Sequence, residues 1–178
     1  MAIEVRLLRE SDDRASFHSG DDQLDLFLRR YAGQNQFRHH IGVTYRAVEA
    51  GEIRGFVTVA AGHIEIEQLP AALRKKLPNY PLPIVRLARL AVDIGAQGTG
   101  VGENLMHAVF LAAIEMRGKL GCVGVVVDAK LHAQAYYSRF GFVALEGIEG
   151  ILEQRPAPTP MFLPLSDIAQ ALDVRRSR

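Results

Sequence analysis

The most constraining feature of this sequence is a glycine-rich stretch that joins an apolar segment to a helical one. Residues 84–92 are apolar and rich in β-branched side chains apart from Arg86 and Arg89, which predicts a strand that is mostly covered. The apolar residues between Leu105 and Phe110 recur at helical spacing, which predicts a helix after the strand. Between the two lie four glycines in eight residues: Gly95, Gly98, Gly100 and Gly102. Such a cluster needs a physical reason, because glycine loses more backbone entropy on ordering than any other residue.

A bound anion is the reason that we favour for these glycines. Glycine adopts positive φ and lets backbone N–H groups approach a phosphate, and the start of the next helix adds a partial positive charge. Two familiar phosphate loops do not fit the spacing. A dinucleotide fingerprint counted from Gly98 needs a glycine where the chain has Glu103, and the chain has no Gly-Lys-Ser/Thr for a nucleoside triphosphate. The remaining pattern is Gln97-x-x-Gly100-x-Gly102, and a tight turn without a ligand is its alternative.

The composition predicts one globular domain over residues 1–178. A chain of 178 residues with 48% hydrophobic content and a net charge of +1 is large enough and apolar enough to bury a core. The N-terminus has no basic start followed by a long apolar run, and no window approaches the ~20 apolar residues of a membrane span. We therefore expect a cytoplasmic protein that does not enter a membrane.

Three residues with reactive side chains are expected to have no chemical role. Cys122 is the only cysteine, and its apolar neighbours favour a buried structural thiol over a nucleophile. His39 and His40 are adjacent, so on a helix their side chains point about 100° apart and do not share a metal ion as an i, i+4 pair does. We favour solvated surface for both histidines, and no metal site is predicted.

Periodicity and turn residues predict the other elements of the chain. They are a strand over 3–8 followed by helix-start oxygens at 11–13, a helix from Asp21 or Asp22 to Tyr31, an antiparallel hairpin of 44–48 and 53–61, an extended piece over 63–66 and a short helix over 69–77. They continue with a buried strand over 122–128, a helix over 131–140 closed by Gly141, a surface loop over 146–158, a strand over 159–165 and a helix from Ser166 to Leu172. The strands before and after the central helix should be parallel, as in a right-handed β-loop-α-β unit.

Two motifs spaced as they are here carry a specific resemblance. The segment "RLAVDIGAQGTGVG" and, about thirty residues further on, "AYYSRFGF" resemble the two central motifs of GNAT acetyltransferases. In that superfamily the first motif contains the loop that binds the pyrophosphate of acetyl-coenzyme A, and the second is a helix that ends Tyr-x-x-x-Gly-Phe. The resemblance implies an α/β fold, α+β in some schemes. Its central sheet would be mixed and mostly antiparallel, with one splayed parallel pair, and helices would flank it.

A narrower resemblance extends over nearly the whole chain. The segments "FHSGDDQLDLFLRRYAGQNQ", the strand led by Thr44, "LPNYPLP", "RLARLAV" and "VVVDAK" match in order the toxin acetyltransferases of bacterial type II toxin–antitoxin modules. Those enzymes acetylate the α-amino group of aminoacyl-tRNA and block translation, and a ribbon-helix-helix antitoxin neutralises them. The resemblance therefore implies an aminoacyl-tRNA substrate, such an antitoxin and a homodimer. Ala88 departs from the family, which has glycine there, and the difference concerns strand packing.

The resemblance also implies which residues would bind acetyl-coenzyme A. Backbone N–H groups of Leu90, Ala91 and Val92 would face the thioester as oxyanion-type donors. Asp128 of "VVVDAK" belongs to the same coenzyme-binding set. The pyrophosphate would lie on a loop of six residues: Gln97, Gly98, Thr99, Gly100, Val101 and Gly102.

Tyr137 is the residue that we expect to act as the acid. It occupies the tyrosine position of the family motif, and a phenol with a pKa of ~10 can donate to a developing thiolate. Tyr136 should pack instead, because neighbours on a helix point about 100° apart. The alternative for Tyr137 is an amphipathic tyrosine of the core.

The acceptor is less constrained than the donor. No base is evident among the carboxylates and histidines, which an α-amine with a pKa of ~7.7–8.0 tolerates better than a lysine at ~10.4. Basic residues cluster, and the candidates for tRNA contact are Arg29, Arg30, Arg86 and Arg89, although a solvated face explains such clusters equally well. Two other functions stay open: a GNAT enzyme that acetylates a small amine or a protein N-terminus, and a non-catalytic coenzyme A-binding module.

Overall fold

The computed structural model describes residues 2–145 and 157–176, which fall into two compact units. Of these residues, the first unit comprises 2–61 and 87–111, and the second comprises 62–86, 112–145 and 157–176. The elements are β1 Glu4–Leu7, α1 Asp22–Leu26, β2 Val43–Glu49, β3 Glu52–Ile64, α2 Ala71–Arg74, β4 Leu82–Val92, α3 Val101–Lys119, β5 Gly124–Ala129, α4 Gln134–Ser138, β6 Val143–Ala144, β7 Thr159–Pro164 and α5 Leu165–Arg176. Within the described residues, no helix has the length and apolar character needed to cross a membrane.

The first unit is an antiparallel sheet with a helical segment packed on it. Its strands follow the order β1-β2-β3-β4, and a two-residue turn at Ala50 and Gly51, both with positive φ, joins β2 to β3. The helical segment turns its apolar side toward the sheet, where Phe56 contacts the rings of Phe17 and Phe27. The core of this unit consists of Leu8, Phe17, Phe27, Leu28, Ala32, Ile53, Phe56 and Ala91. Burial of these side chains supplies the main force that holds the helical segment on the sheet.

The second unit contains the parallel strand pair. Its strand order is β4-β5-β7-β6, with β4 parallel to β5 and the other pairs antiparallel. At Gly124 the chain needs glycine, because an added Cβ would lie 2.3 Å from the carbonyl oxygen of Leu163 on the paired strand β7. The core here consists of Ile64, Leu69, Leu82, Ile84, Val126 and Phe162. The mixed sheet with one parallel pair is the arrangement predicted from the sequence.

Several predicted elements are confirmed with small shifts at their ends. The hairpin, the central strand, the helix after the glycine loop and the strand before Leu165 are all present. Gly141 has a φ of 96°, the left-handed conformation predicted for it. Cys122 is buried and donates a hydrogen bond to the carbonyl of Gly124, and burial raises the pKa of its thiol, as expected for a structural cysteine.

The predicted first helix is present but is wound differently. After α1 the chain continues as π-helix over Phe27–Tyr31 and again over Gln34–His39. A π-helix has more residues per turn than an α-helix, so the buried face does not follow strict α-helical spacing here. Tyr31 is 46% exposed, whereas the next residue, Ala32, is buried.

Two local predictions are wrong and two others are confirmed only over part of their length. Asp12 and Asp13 cap turns instead of starting a helix, since they accept hydrogen bonds from Arg9 N and Ala15 N. The piece over 63–66 is the end of β3 followed by a 3₁₀ turn at Ile66–Gln68, and the helix over 69–77 is a single turn behind Pro70. Ser166 does not cap the last helix, which begins one residue earlier. The predicted surface loop over 146–158 lies outside the described residues, apart from its last two.

Candidate active site

The glycine-rich loop leaves β4 and leads directly into α3. Asp93 caps a 3₁₀ turn over Ile94–Ala96 by accepting a hydrogen bond from Gly95 N at 3.0 Å. Gly98 and Gly100 have φ values of 77° and 92°, which side chains other than glycine rarely allow. A Cβ added at Gly98 would meet no atom within 4 Å, so the space over the loop is open. The loop therefore offers exposed backbone at a helix start, which is the arrangement that suits a phosphate.

The side chain of Gln97 is used to hold the loop in shape. Its Nε2 donates to the carbonyl oxygens of Ser19 at 3.1 Å and Val92 at 3.2 Å. The loop is thus fixed to the end of β4 and to the segment before α1. The predicted contact of Gln97 with pyrophosphate stays a prediction, as do the contacts of the rest of the loop, Gly98, Thr99, Gly100, Val101 and Gly102.

The segment before α1 is organised by a buried carboxylate that sequence analysis missed. Asp25 is 1% exposed and accepts hydrogen bonds from Ser19 Oγ at 2.6 Å and from Ser19 N at 2.9 Å. Burial by itself would raise the pKa of Asp25, but the hydrogen bonds from Ser19 and His18 outweigh it and lower that pKa. The available signal was the position of Asp25, which shares the spacing of the buried Leu28 and Ala32 at i+3 and i+7.

The same segment is bonded directly to the glycine loop. His18 N donates to Asp93 Oδ2 at 3.1 Å, and Ile94 N donates to the carbonyl of His18 at 2.8 Å. Together with Gln97 on Ser19, three hydrogen bonds fix the loop to residues 18 and 19. The conformation of the loop therefore depends on the segment that Asp25 orders.

Tyr137 lies in α4, in an aromatic environment. It is 6% exposed, and its ring meets those of Tyr136 and Phe142 edge-on at centroid distances of 5.3 Å and 5.6 Å. Burial raises the pKa of Tyr137 to about 12, so the phenol keeps its proton across the physiological range. Tyr136 is half-buried and also packs edge-on against Phe140. A neutral phenol is a hydrogen-bond donor, which the predicted acid requires.

The other predicted coenzyme-binding residues lie on β4 and β5. Leu90, Ala91 and Val92 are the last residues of β4, and Ala91 is buried between two half-buried neighbours. Asp128 is exposed on β5 and forms an ion pair with Arg86 at 3.3 Å. Because Asp128 carries a negative charge and already has a partner, its predicted contact with the coenzyme has no structural support beyond its position.

The predicted tRNA-contacting arginines have different surroundings. Arg29 and Arg30 line an open cavity of about 320 Å³ together with Arg14 and Arg38, and Glu10 is the acidic residue in its lining. Arg89 places its guanidinium 3.9 Å from the ring centroid of Phe27, a cation–π contact. Arg14 was not singled out from the sequence, because it stands alone among acidic and small residues there. The cavity gathers positive charge that a phosphate backbone would neutralise.

Metal chemistry has no support among the described residues. Residues 2–145 and 157–176 contain no group of three or more histidine, cysteine, aspartate or glutamate side chains that could hold an ion. His39 and His40 are exposed at the end of the helical segment, as expected.

A mixed sheet with one parallel strand pair, and an open glycine loop at a helix start, are features of a known class of acyl-transfer enzymes. Residues 39–144 match the family model described as an acetyltransferase (GNAT) domain. The match spans more than half of the chain, and the chain belongs to the GNAT acetyltransferase superfamily. It is an acetyltransferase, and acetyl-coenzyme A is its cosubstrate. The open cradle at Gly98 and Gly100 fits the phosphates of that coenzyme.

Within the superfamily the chain is similar to toxin acetyltransferases. A tRNA-acetylating toxin of Mycobacterium tuberculosis is 33% identical over 141 residues, which cover 77% of this chain and 82% of that protein. The structure of AtaT complexed with acetyl-methionyl-tRNA superposes with a TM-score of 0.83 at 25% identity, over 96% of this chain and 99% of AtaT. A tyrosine-to-phenylalanine variant of KacT superposes with a TM-score of 0.82 at 26% identity, with the same coverage.

Proposed function

We propose that the protein is a toxin that acetylates the α-amino group of aminoacyl-tRNA and thereby blocks translation. The observation that carries the proposal is the open, glycine-lined loop at the start of α3 in a chain that is 33% identical to a tRNA-acetylating toxin. The loop supports binding of the acetyl donor, and the similarity supports the acceptor. The positive charge of the cavity lined by Arg14, Arg29, Arg30 and Arg38 is suited to an RNA backbone.

In the proposed reaction, residues of this chain bind the coenzyme, orient its thioester and donate a proton to the leaving sulfur. Residues 97–102 would hold the pyrophosphate, and the backbone of Leu90, Ala91 and Val92 would stabilise negative charge on the thioester oxygen. Tyr137 would donate its phenolic proton to the sulfur as the C–N bond forms and the C–S bond breaks, and the proton lost by the acetylated nitrogen would return to the phenolate through solvent. Because burial raises the pKa of Tyr137 to about 12, the phenol would still carry its proton when the reaction begins.

An α-amino acceptor agrees with this set of residues. Such an amine has a pKa of ~7.7–8.0, so an appreciable fraction is neutral at physiological pH and no strong base is needed. The acetylated nitrogen no longer carries the positive charge or the nucleophilic lone pair of the free amine. An aminoacyl-tRNA blocked in this way is unable to accept the growing chain, and translation would stop.

The proposal includes the setting in which the enzyme works. It treats residues 1–178 as one catalytic domain that acts in the cytoplasm, where charged tRNA is used. A toxin of this kind requires a neutralising partner, and the resemblance points to a ribbon-helix-helix antitoxin and to a homodimeric toxin.

The test is an acceptor comparison with one labelled donor. Purified protein is incubated with labelled acetyl-coenzyme A and with charged tRNA, deacylated tRNA, free amines or N-terminal peptides. We expect label on charged tRNA alone, in a form that alkaline release recovers as N-acetyl amino acid. Label on amines or peptides alone would replace the proposal with the small-amine or N-terminal enzyme, and coenzyme binding without turnover would replace it with the binding module.

A further inference from the structure

We propose that a pocket in the second unit selects the side chain of the aminoacyl group, and that it accepts an uncharged aliphatic side chain such as that of leucine, isoleucine or methionine. This inference rests on the proposed function and names the substrate class of the same enzyme. The sequence did not specify which aminoacyl group is accepted. Because the pocket is formed by residues that lie far apart in the chain, no local sequence motif predicts it.

The pocket has an apolar floor and a polar rim. Ile64 of β3 and Val126 of β5 are buried and belong to the core of the unit, and the rest of the apolar lining consists of Leu145, Ala157, Pro158 and Pro160. The rim carries four polar side chains: His63, Gln68, Arg86 and Asp128. A group that enters the pocket would exchange water for apolar contacts at its tip and keep polar contacts at its base.

The size of the pocket matches one aminoacyl group. Its volume is about 240 Å³, below the ~300–1,000 Å³ of pockets that enclose a drug-sized ligand. At ~30 Å³ for each water-sized group, it holds on the order of eight non-hydrogen atoms. A leucyl, isoleucyl or methionyl group has about that number, counting its amine and carbonyl, whereas a glycyl group would leave half of the space unfilled.

The charges on the rim disfavour ionised side chains. Arg86 Nη1 and Asp128 Oδ2 lie 3.3 Å apart, so each charge already has its partner. An acidic or basic side chain in the pocket would have to lie against Ile64 and Val126, where an uncompensated charge is costly. An aliphatic side chain has no such penalty and gains the burial of its methylene groups.

A hydrogen bond links the helix that carries Tyr137 to β7, the strand that contributes Pro160 to the pocket. Gln134 of α4 donates to Thr159 Oγ1 at 2.8 Å, and Thr159 precedes the pocket residue Pro160. Asp128 pairs opposite Pro160 in the β5–β7 ladder, and Leu145 N donates to the Pro160 carbonyl at 2.8 Å. The helix with the proposed acid is thus hydrogen-bonded to the residue that precedes Pro160 of the pocket lining.

The first arm of the test is a panel of charged tRNAs with the unmodified protein. Leucyl-, methionyl-, glycyl-, aspartyl- and lysyl-tRNA are compared by kcat/KM for acetylation. We expect the leucyl and methionyl forms to exceed the aspartyl and lysyl forms by at least about tenfold, the discrimination available to an apolar pocket. Equal rates across the panel, or a preference for charged side chains, would overturn the pocket assignment while leaving the proposed function intact.

The second arm narrows the pocket. Leu145→Phe adds bulk to the lining, and Val143→Phe is the matched control, since Val143 is 44% exposed and does not line the pocket. We expect Leu145→Phe to lower kcat/KM for leucyl- and methionyl-tRNA by about tenfold or more relative to glycyl-tRNA, and the control to leave that ratio unchanged. An unchanged ratio in Leu145→Phe would contradict the assignment.

The two failures are distinguishable. Acetylation of none of the charged tRNAs would overturn the proposed function and this inference with it. Acetylation of all of them without a side-chain preference would overturn the pocket alone. If Leu145→Phe loses activity on every tRNA, including the glycyl form, the panel with the unmodified protein decides the question.

Discussion

The imidazole of His18 is hydrogen-bonded to the buried carboxylate of Asp25, with 3.0 Å between Nδ1 and Oδ2. This contact joins two parts of the first unit that the sequence treats as separate, since His18 also bonds through its backbone to Asp93 and Ile94 of the glycine loop. The carboxylate is therefore a positioning group for the loop that is proposed to bind the pyrophosphate. Its removal should affect the coenzyme more than the chemical step.

The first prediction concerns Asp25→Asn, which keeps the shape of the side chain and removes its charge. The amide loses acceptor capacity toward Ser19 and His18, and an unsatisfied buried group costs ~1–3 kcal/mol. We expect lower stability and a KM for acetyl-coenzyme A raised several-fold, with kcat at saturating coenzyme nearly unchanged. Asp22→Asn, on the exposed first turn of α1, is the control and should alter neither quantity. Unaltered coenzyme affinity in Asp25→Asn would remove the link between the carboxylate and the loop.

The second prediction concerns acid. The folded-state pKa of Asp25 lies below its unfolded value of ~3.9, so its stabilising effect is present above that pH and is lost as the pH falls through the folded-state pKa. The difference in free energy of unfolding between the unmodified protein and Asp25→Asn should therefore be constant near neutrality and shrink below about pH 4. Urea unfolding across pH 3 to 7 measures it, and a difference that grows in acid would show the opposite sign.

The third prediction concerns Gly100→Asp. The left-handed φ of 92° strains any side chain, and an added Cβ would lie 4.0 Å from Glu103 Oε2, so the new carboxylate joins an existing negative charge beside the phosphates. We expect coenzyme binding to fall by at least tenfold in calorimetry. Gly118→Ala in α3 is the control, because its Cβ would meet no atom within 4 Å, and it should bind coenzyme normally. Normal binding by Gly100→Asp would remove the loop from the coenzyme site.

Local patterns were sufficient to predict the elements that depend on local rules. Positive φ at glycine underlies the loop at Gly98 and Gly100 and the left-handed Gly141, and the β2–β3 hairpin follows from two β-rich runs on either side of a short turn. The π-helical winding after Leu26 depends on i→i+5 bonding that apolar spacing does not encode. The burial of Asp25 and the meeting of Ile64 with Val126 depend on tertiary contacts between distant segments. Local patterns therefore predicted the glycine loop. They did not predict the buried Asp25 that orders the neighbouring segment, or the pocket lined by Ile64 and Val126.

The fourth prediction concerns the basic cavity. Changing Arg29 and Arg30 together to alanine removes two positive charges from exposed positions, so the fold and the affinity for acetyl-coenzyme A should be retained. If the cavity contacts tRNA phosphates, activity on charged tRNA should fall. The slope of log activity against log salt concentration should also become shallower, by the equivalent of up to two phosphate contacts. Arg6→Ala removes an exposed arginine on β1 and serves as the control. If the double variant has the same salt slope as the unmodified protein, the two arginines do not contact tRNA phosphates and are only solvated surface residues.

The last prediction concerns Tyr137→Phe, which removes one hydroxyl and keeps the ring. The edge-on contacts with Tyr136 and Phe142 need only the ring, so the fold and the coenzyme affinity should survive while the chemical step suffers. General-acid groups contribute typically ~10²–10⁴-fold, or roughly 3–5 kcal/mol in the barrier. We therefore expect kcat to fall within that range and cells to tolerate the variant.

Tyr136→Phe is the matched control for this change, because it removes the same group from the neighbouring residue of α4. The fall in kcat for Tyr136→Phe should be much smaller if Tyr136 serves mainly in packing against Phe140. Thermal melting of both variants is measured beside the rates, so that a loss of structure is not mistaken for a loss of catalysis. A folded Tyr137→Phe protein that binds acetyl-coenzyme A, acetylates charged tRNA at the unmodified rate and still arrests growth would end the role of this phenol as the acid. An equal fall in kcat in the two variants would instead indicate that both tyrosines serve only in the aromatic core.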